Sequence, residues 1–247
     1  MSHFTCQTRE DIPVNRVIET EEICEIALGF EDGCLESGRE EIVNVSNFSS
    51  FSSTTSMDTP SGFESDTARE SAFDILKEIR VKNVNKIVID TLNINSLAPK
   101  FDQLSEIIGN NLDILAIQET KLDSSFPVQQ FALAGYSEPY RIDRNHEGGG
   151  VLIYVREDMP SKVLSKHNFT KNVEGLFLEI NLRKSKLLFF AGYRSDHEVH
   201  GISKSDFLEQ INFALDKYCT YDKVLLAGDF DIDKEEEILQ EFLFEQI

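Results

Sequence analysis

The chain has 247 residues, 40% of them hydrophobic, with a formal net charge of -20 and a pI of about 4.6. That length holds one large domain or a domain with a tail, and that charge repels nucleic acid and anionic membranes unless a local basic patch or bound cations intervene. Four irregularly spaced cysteines form neither a metal pattern nor a disulfide frame, no apolar run reaches membrane-spanning length, and no basic start precedes an apolar segment. The expectation is a reduced, intracellular protein of nucleus or cytoplasm, not secreted and without a membrane partner.

Residues 1–70 carry 15 acidic residues against four arginines and no lysine, a net charge of -11. They are expected to form an acidic, Ser-rich, largely disordered tail, with a short amphipathic helix over Val17 to Leu28. Ser46 to Ser56, SNFSSFSSTTS, is low-complexity and cannot bury enough to offset its ordering entropy. Its two phenylalanines offer a weak dock for an unknown protein partner; the plainer alternative is a solvated linker. A lead-in helix over 71–85, starting near Thr67, brings the chain to a domain expected over 86–247.

Lys86 to Asn93 is a β-branched run, and Leu97, Phe101, Leu104, Ile107 and Ile108 then repeat at the helical period. Leu112 to Ile117 is apolar enough for a buried strand. Strand, helix and strand therefore place Asn93 and Asn95 at the end of the first strand and Glu119 just past the second, where open α/β sheets bind their ligands. Leu122 to Arg144, with Pro127, Gly135 and Pro139, predicts loop with short elements. Gly148-Gly-Gly predicts a turn into the strand Val151 to Val155, since no Lys-Ser or Lys-Thr follows to make a phosphate loop. Glu174 to Leu182 and Lys186 to Tyr193 predict a hairpin, and Ser203 to Tyr218 a helix capped by Ser203. Lys223 to Asp231 predicts a buried strand ending in carboxylates, and Glu235 to Ile247 an acidic helix. This order indicates a layered α/β domain.

The polar residues at strand ends are Asn93, Asn95, Glu119, Tyr193, Asp229 and Asp231. Carboxylates and amides without a histidine or cysteine cluster suit a hard, oxygen-liking divalent ion, and such an ion suits phosphate chemistry. Taken singly, the amides fit turns, Tyr193 a strand end and Asp229 a cap.

LNINSL (Leu92 to Leu97), QETKLD (Gln118 to Asp123), GGGVLIYV (Gly148 to Val155), AGYRS (Ala191 to Ser195) and GDFD (Gly228 to Asp231) occur in that order. With them the chain resembles the endonuclease/exonuclease/phosphatase superfamily, and within it the endonuclease domain of non-LTR retrotransposons. The resemblance implies a four-layer α/β sandwich, DNA as ancestral substrate, and magnesium as cofactor, with manganese able to substitute. It implies that Glu119 is the metal ligand and that Asn95 helps complete the metal environment. By the same resemblance Asn93 serves the scissile phosphate, Tyr193 contacts it, and Asp229 orients or deprotonates the attacking water.

Three departures accompany the resemblance. Asp231 stands where the family has asparagine, replacing a donor amide with a carboxylate. At about 4 Å and an effective dielectric near 20, its charge would repel a neighbouring anion by about 4 kcal/mol. Half of that would slow the reaction about thirtyfold. The family also continues to a closing aspartate and histidine and further strands, so the second sheet is expected to be incomplete, with an open edge, an exposed apolar face and marginal stability. Prolines that usually follow the tyrosine are replaced by Arg194-Ser-Asp-His. The functional expectation is a magnesium-dependent DNA endonuclease domain of retrotransposon origin, impaired by these changes. The alternatives are a non-catalytic retroelement remnant or interaction protein and, more weakly, a phosphoinositide phosphatase.

Overall fold

Alternation of side chains along a strand gives each sheet two faces to bury, and three separate apolar layers result. The computed structural model describes residues 26–29, 42–44, 65–170, 173–195, 202–218, 220–221, 223–232, 237 and 239. The elements in chain order are β1 (Ile26–Gly29), β2 (Ile42–Asn44), α1 (Ser65–Lys82), β3 (Ile87–Asn93), α2 (Phe101–Ile108), β4 (Ile114–Gln118), β5 (Tyr140–Ile142) and β6 (Val151–Val155). There follow β7 (Ser161–Thr170), β8 (Val173–Asn181), β9 (Lys186–Arg194), α3 (Lys204–Asp216) and β10 (Lys223–Asp229). Single 3-10 turns lie over Ala98–Lys100 and Val128–Phe131.

One sheet runs β2-β3-β4-β6-β5 and the other β1-β10-β9-β8-β7. Between them lies an aliphatic layer to which Ile89, Ile114, Ala116, Ile153, Leu178, Phe189 and Leu225 contribute. The opposite face of the first sheet, with Val88, Leu92, Leu115, Ile117 and Tyr154, packs on Leu76, Leu104 and Ile107 of α1 and α2. The opposite face of the second, with Phe177, Leu188, Phe190 and Leu226, packs on Phe207, Ile211 and Ala214 of α3. Helix, sheet, sheet, helix is the four-layer sandwich expected from the motifs.

The expected hairpin is β8 and β9, paired antiparallel from Val173↔Arg194 to Asn181↔Lys186. Ser203 caps α3 by accepting the Asp206 N–H. The lead-in helix starts at Ser65 and ends at Lys82, inside the expected stop at 85. Of the closing helix, Glu237 and Leu239 are helical and the rest of 235–247 lies outside the described residues.

Two expectations change. The helix over Val17 to Leu28 is replaced at Ile26 to Leu28 by strand β1, antiparallel to β10 from Ile26↔Leu226 to Gly29↔Lys223. Residues 17–25 lie outside the described residues. The edge expected to stand open is therefore paired, because an unpaired row of backbone donors and acceptors beside β10 outweighs a weak helical period. On the other sheet, β2 adds in parallel to β3, from Ile42↔Ile87 to Asn44↔Ile89. β7, which the sequence pattern did not suggest, pairs antiparallel with β8.

Candidate active site at the strand ends

The pairing that builds the sheets also aligns the candidate site. β3 and β4 run in parallel with Asn93 beside Gln118, so Glu119 is the first residue past the sheet. β9 and β10 run in parallel with Asp229 beside Tyr193. Asn93 shares its face with Ile89, Tyr193 with Phe189 and Ala191, and Asp229 with Leu225 and Ala227, the residues of the inter-sheet layer. Two sheets thus deliver polar side chains to one end of one layer.

There the Asn93 amide donates to both carboxylates, to Glu119 Oε1 at 3.0 Å and to Asp229 Oδ2 at 2.7 Å. The Tyr193 hydroxyl donates to the same Glu119 oxygen at 3.2 Å. Burial raises the pKa of Asp229 from its ordinary value; the Asn93 amide pulls it back, Glu119 pushes it up, and the Asp231 backbone N–H and Arg194 pull it back again. Burial likewise raises the Tyr193 hydroxyl, helped by the charges of Glu119 and Asp229. Two carboxylates facing one amide in a half-buried notch form an anionic, oxygen-only donor set. Among the described residues no three His, Cys, Asp or Glu gather at one point. A metal here would draw on the Glu119 carboxylate and keep several waters, as magnesium does. The residues fit such an ion.

The other two predicted residues sit differently. Asn95 lies on the rim, its side-chain oxygen accepting from Lys121 Nζ at 2.5 Å, and its N–H donating to Asn93 Oδ1 at 3.2 Å. Asp231 turns its carboxylate to Arg194 Nη2 at 3.0 Å, with a side chain 47% exposed against 4% for Arg194. Arg194 also donates to the carbonyls of Phe230, Asp231 and Ile202. Two of the departures from the family pattern, Asp231 and Arg194, therefore touch each other, and the repulsion expected from Asp231 is offset by a buried guanidinium.

Backbone geometry marks the same region. Asn95, Ser96, Glu119, Lys121 and Asp231 all have positive φ, between 46° and 84°. Left-handed backbone at non-glycine residues costs about 1–3 kcal/mol each and concentrates where function requires it. Lys100 ties down the first of these loops by donating to the carbonyls of Ile94 and Asn95. Gly228 closes the second sheet's end: a Cβ there would meet the Gly192 carbonyl oxygen at 2.0 Å, and its φ of 146° favours glycine.

Sequence reasoning missed Arg144, Glu174 and Arg194. The first two belong to the wall behind Tyr193, and the signal that could have exposed them is the glycine run four residues after Arg144. A cavity of about 490 Å³ lined by Arg80, Lys86, Asp113 and Arg156 opens at the other end of the sandwich, by the start of β3, and includes none of the site residues.

Solved structures with a similar fold include the mannosyl-6-phosphatase of Bacteroides thetaiotaomicron, at 13% identity and a TM-score of 0.48 over 64% of this chain and 70% of that one. D. rerio TDP2 complexed with a single-strand DNA product gives 16% identity and a TM-score of 0.44 over 62% and 63%. The Neisseria 3′ phosphatase NExo bound to a product DNA hairpin gives 22% and 0.40 over 58% and 57%. No curated protein sequence matches the chain. The profile of one family spans residues 91–244, more than half of the chain and every strand end that carries the site, and the chain belongs to that family, the Endonuclease/Exonuclease/phosphatase family.

Proposed function

We propose that this chain is a divalent-metal-dependent phosphodiesterase domain that cleaves DNA, of the branch found in non-LTR retrotransposons. The observation that carries the reading is the Asn93 amide bridging Glu119 and Asp229, with the Tyr193 hydroxyl on the same Glu119 oxygen. Support for the branch is the ordered set LNINSL, QETKLD, GGGVLIYV, AGYRS and GDFD.

Glu119 would hold magnesium, which when bound neutralises phosphate charge and helps align a water for in-line attack. The chain's own groups do the rest. Asp229, made more basic by burial, takes the proton of the attacking water. Tyr193, kept protonated by burial and by two neighbouring carboxylates, donates a hydrogen bond to a non-bridging phosphate oxygen as charge builds there. The Asn93 amide is a second donor on the same side. The Arg194 guanidinium holds the Gly228 to Asp231 turn so that Asp229 keeps its aim.

The test is nicking of supercoiled plasmid by the full chain with magnesium at low salt, beside Glu119→Ala. The expected outcome is nicking that falls by about a hundredfold or more in the variant. Folded wild-type protein that leaves the plasmid closed would sink the proposal, and phosphate release from inositol phospholipids by the same protein would redirect it to the phosphatase side of the family.

A further inference from the structure

The three consecutive glycines before β6 make a turn, but a turn does not require three. Their surroundings explain the excess. Arg144 lies flat across them: its Nε donates to the Gly148 carbonyl at 2.9 Å and stands 3.5 Å from Glu174 Oε1. A Cβ on Gly149 would fall 2.4 Å from Arg144 Nε and 2.5 Å from Cζ, and one on Gly148 would fall 2.8 Å from Nη2. The side that does not face the glycines faces the site, with the guanidinium carbon 5.8 Å from the centre of the Tyr193 ring. Arg144 Nη1 is buried and has no hydrogen-bond partner among the described residues. A cation so placed is aimed by its stacking and by its acid partner rather than by a full set of acceptors.

Glu174 completes the arrangement. It stands directly across the β8–β9 ladder from Tyr193, is 3% exposed, and accepts the Gly150 N–H on Oε2 at 3.1 Å. Tyr193, Arg144, Glu174 and the glycine turn therefore brace one another, and the turn is tied to the loop after Glu119, where the Thr120 and Lys121 N–H groups donate to the Gly150 and Gly149 carbonyls.

We propose that Arg144 is a positioning residue for Tyr193: its guanidinium, clamped between the glycine run and Glu174, fixes the plane of the ring and so aims the hydroxyl at the cleft. The phenol reaches Glu119 at 3.2 Å only while the ring holds its angle. A displacement of about 1 Å in such a group costs on the order of a hundredfold in rate. The kinetic part of the inference rests on the phosphodiesterase reading; the geometric part does not.

The experiment uses the full chain with carbon-13-labelled tyrosine, its Tyr193 resonance identified by loss in Tyr193→Phe. Arg144→Ala is expected to shift that resonance, and added methylguanidinium, which can refill the vacated slot, to return it. Gly149→Ala, which pushes the guanidinium out while leaving it in the chain, is expected to shift the resonance without recovery by methylguanidinium. In the nicking assay Arg144→Ala is expected to lose about a hundredfold in kcat with KM nearly unchanged, to regain part of it with methylguanidinium, and not to be matched by Arg144→Lys, which keeps the charge and loses the plane. A Tyr193 resonance unmoved by Arg144→Ala, or a loss confined to KM, would overturn the proposal. Wild-type protein that does not nick sinks the phosphodiesterase reading alone, since the resonance still decides the role of Arg144.

Discussion

Asp90 lies at the centre of β3 on the face turned to the helices, 2% exposed, with its carboxylate accepting the Thr91 N–H at 2.9 Å. Burial in that apolar layer pushes its pKa up from 3.8 to about 8. The folded state therefore prefers the protonated acid. The stability this contributes is complete below the ordinary carboxylate value and is lost as pH rises through about 8. Asp90→Asn is expected to raise the melting temperature by several degrees at about pH 8.5 and to leave it nearly unchanged at about pH 4, read by thermal melts. At Asp231, the charge argument from sequence alone expects an asparagine to speed the reaction about thirtyfold. With Arg194 already paired to that carboxylate, Asp231→Asn is expected to change the rate by less than about threefold. Arg194→Met, which leaves three carbonyls without their donor, is expected to cost on the order of 3 kcal/mol in urea unfolding.

The elements show where sequence reading succeeds. The strand, helix and strand from Lys86 to Glu119 were legible because the period changes from strand-like to 3.6 and back within one short stretch. The β8–β9 hairpin and α3 were legible because their apolar residues are dense and Ser203 marks a cap. β7 was not, since SKVLSKHNFT carries polar residues and its place depends on the backbone of β8. β1 and β2 were not, because segments of four and three residues have no period to detect and are defined by the edges they join. At the site, motif positions led to Asn93, Glu119, Tyr193 and Asp229, whereas the Arg144 and Arg194 contacts depend on residues far apart in sequence. Glycine is the common thread between legible and illegible parts. Gly228→Ala, which would drive a Cβ into the Gly192 carbonyl where β9 and β10 meet, is expected to destabilise by about 3 kcal/mol or more and to abolish nicking together with the native fold, as judged by near-ultraviolet circular dichroism.

At the scale of the molecule, the acidic N-terminal region is part of both sheets: β1 edges the sheet that carries Tyr193 and Asp229, and β2 the sheet that carries Asn93 and Glu119. Removal of residues 1–64 takes both strands away and is expected to cost on the order of 3 kcal/mol and to promote association through the bared edges, read by urea unfolding and by light scattering. Among the described residues no helix is long and apolar enough to cross a membrane. The hydrogen bond from Asn93 to Asp229 joins residues 136 positions apart. Contacts of that separation close late, because the loop entropy between them is lost before the contact rewards it. That contact is thus a clock for assembly: after dilution from denaturant, secondary structure should return first and the Asn93 to Asp229 bond last, with a lag that measures how long one sheet takes to find the other.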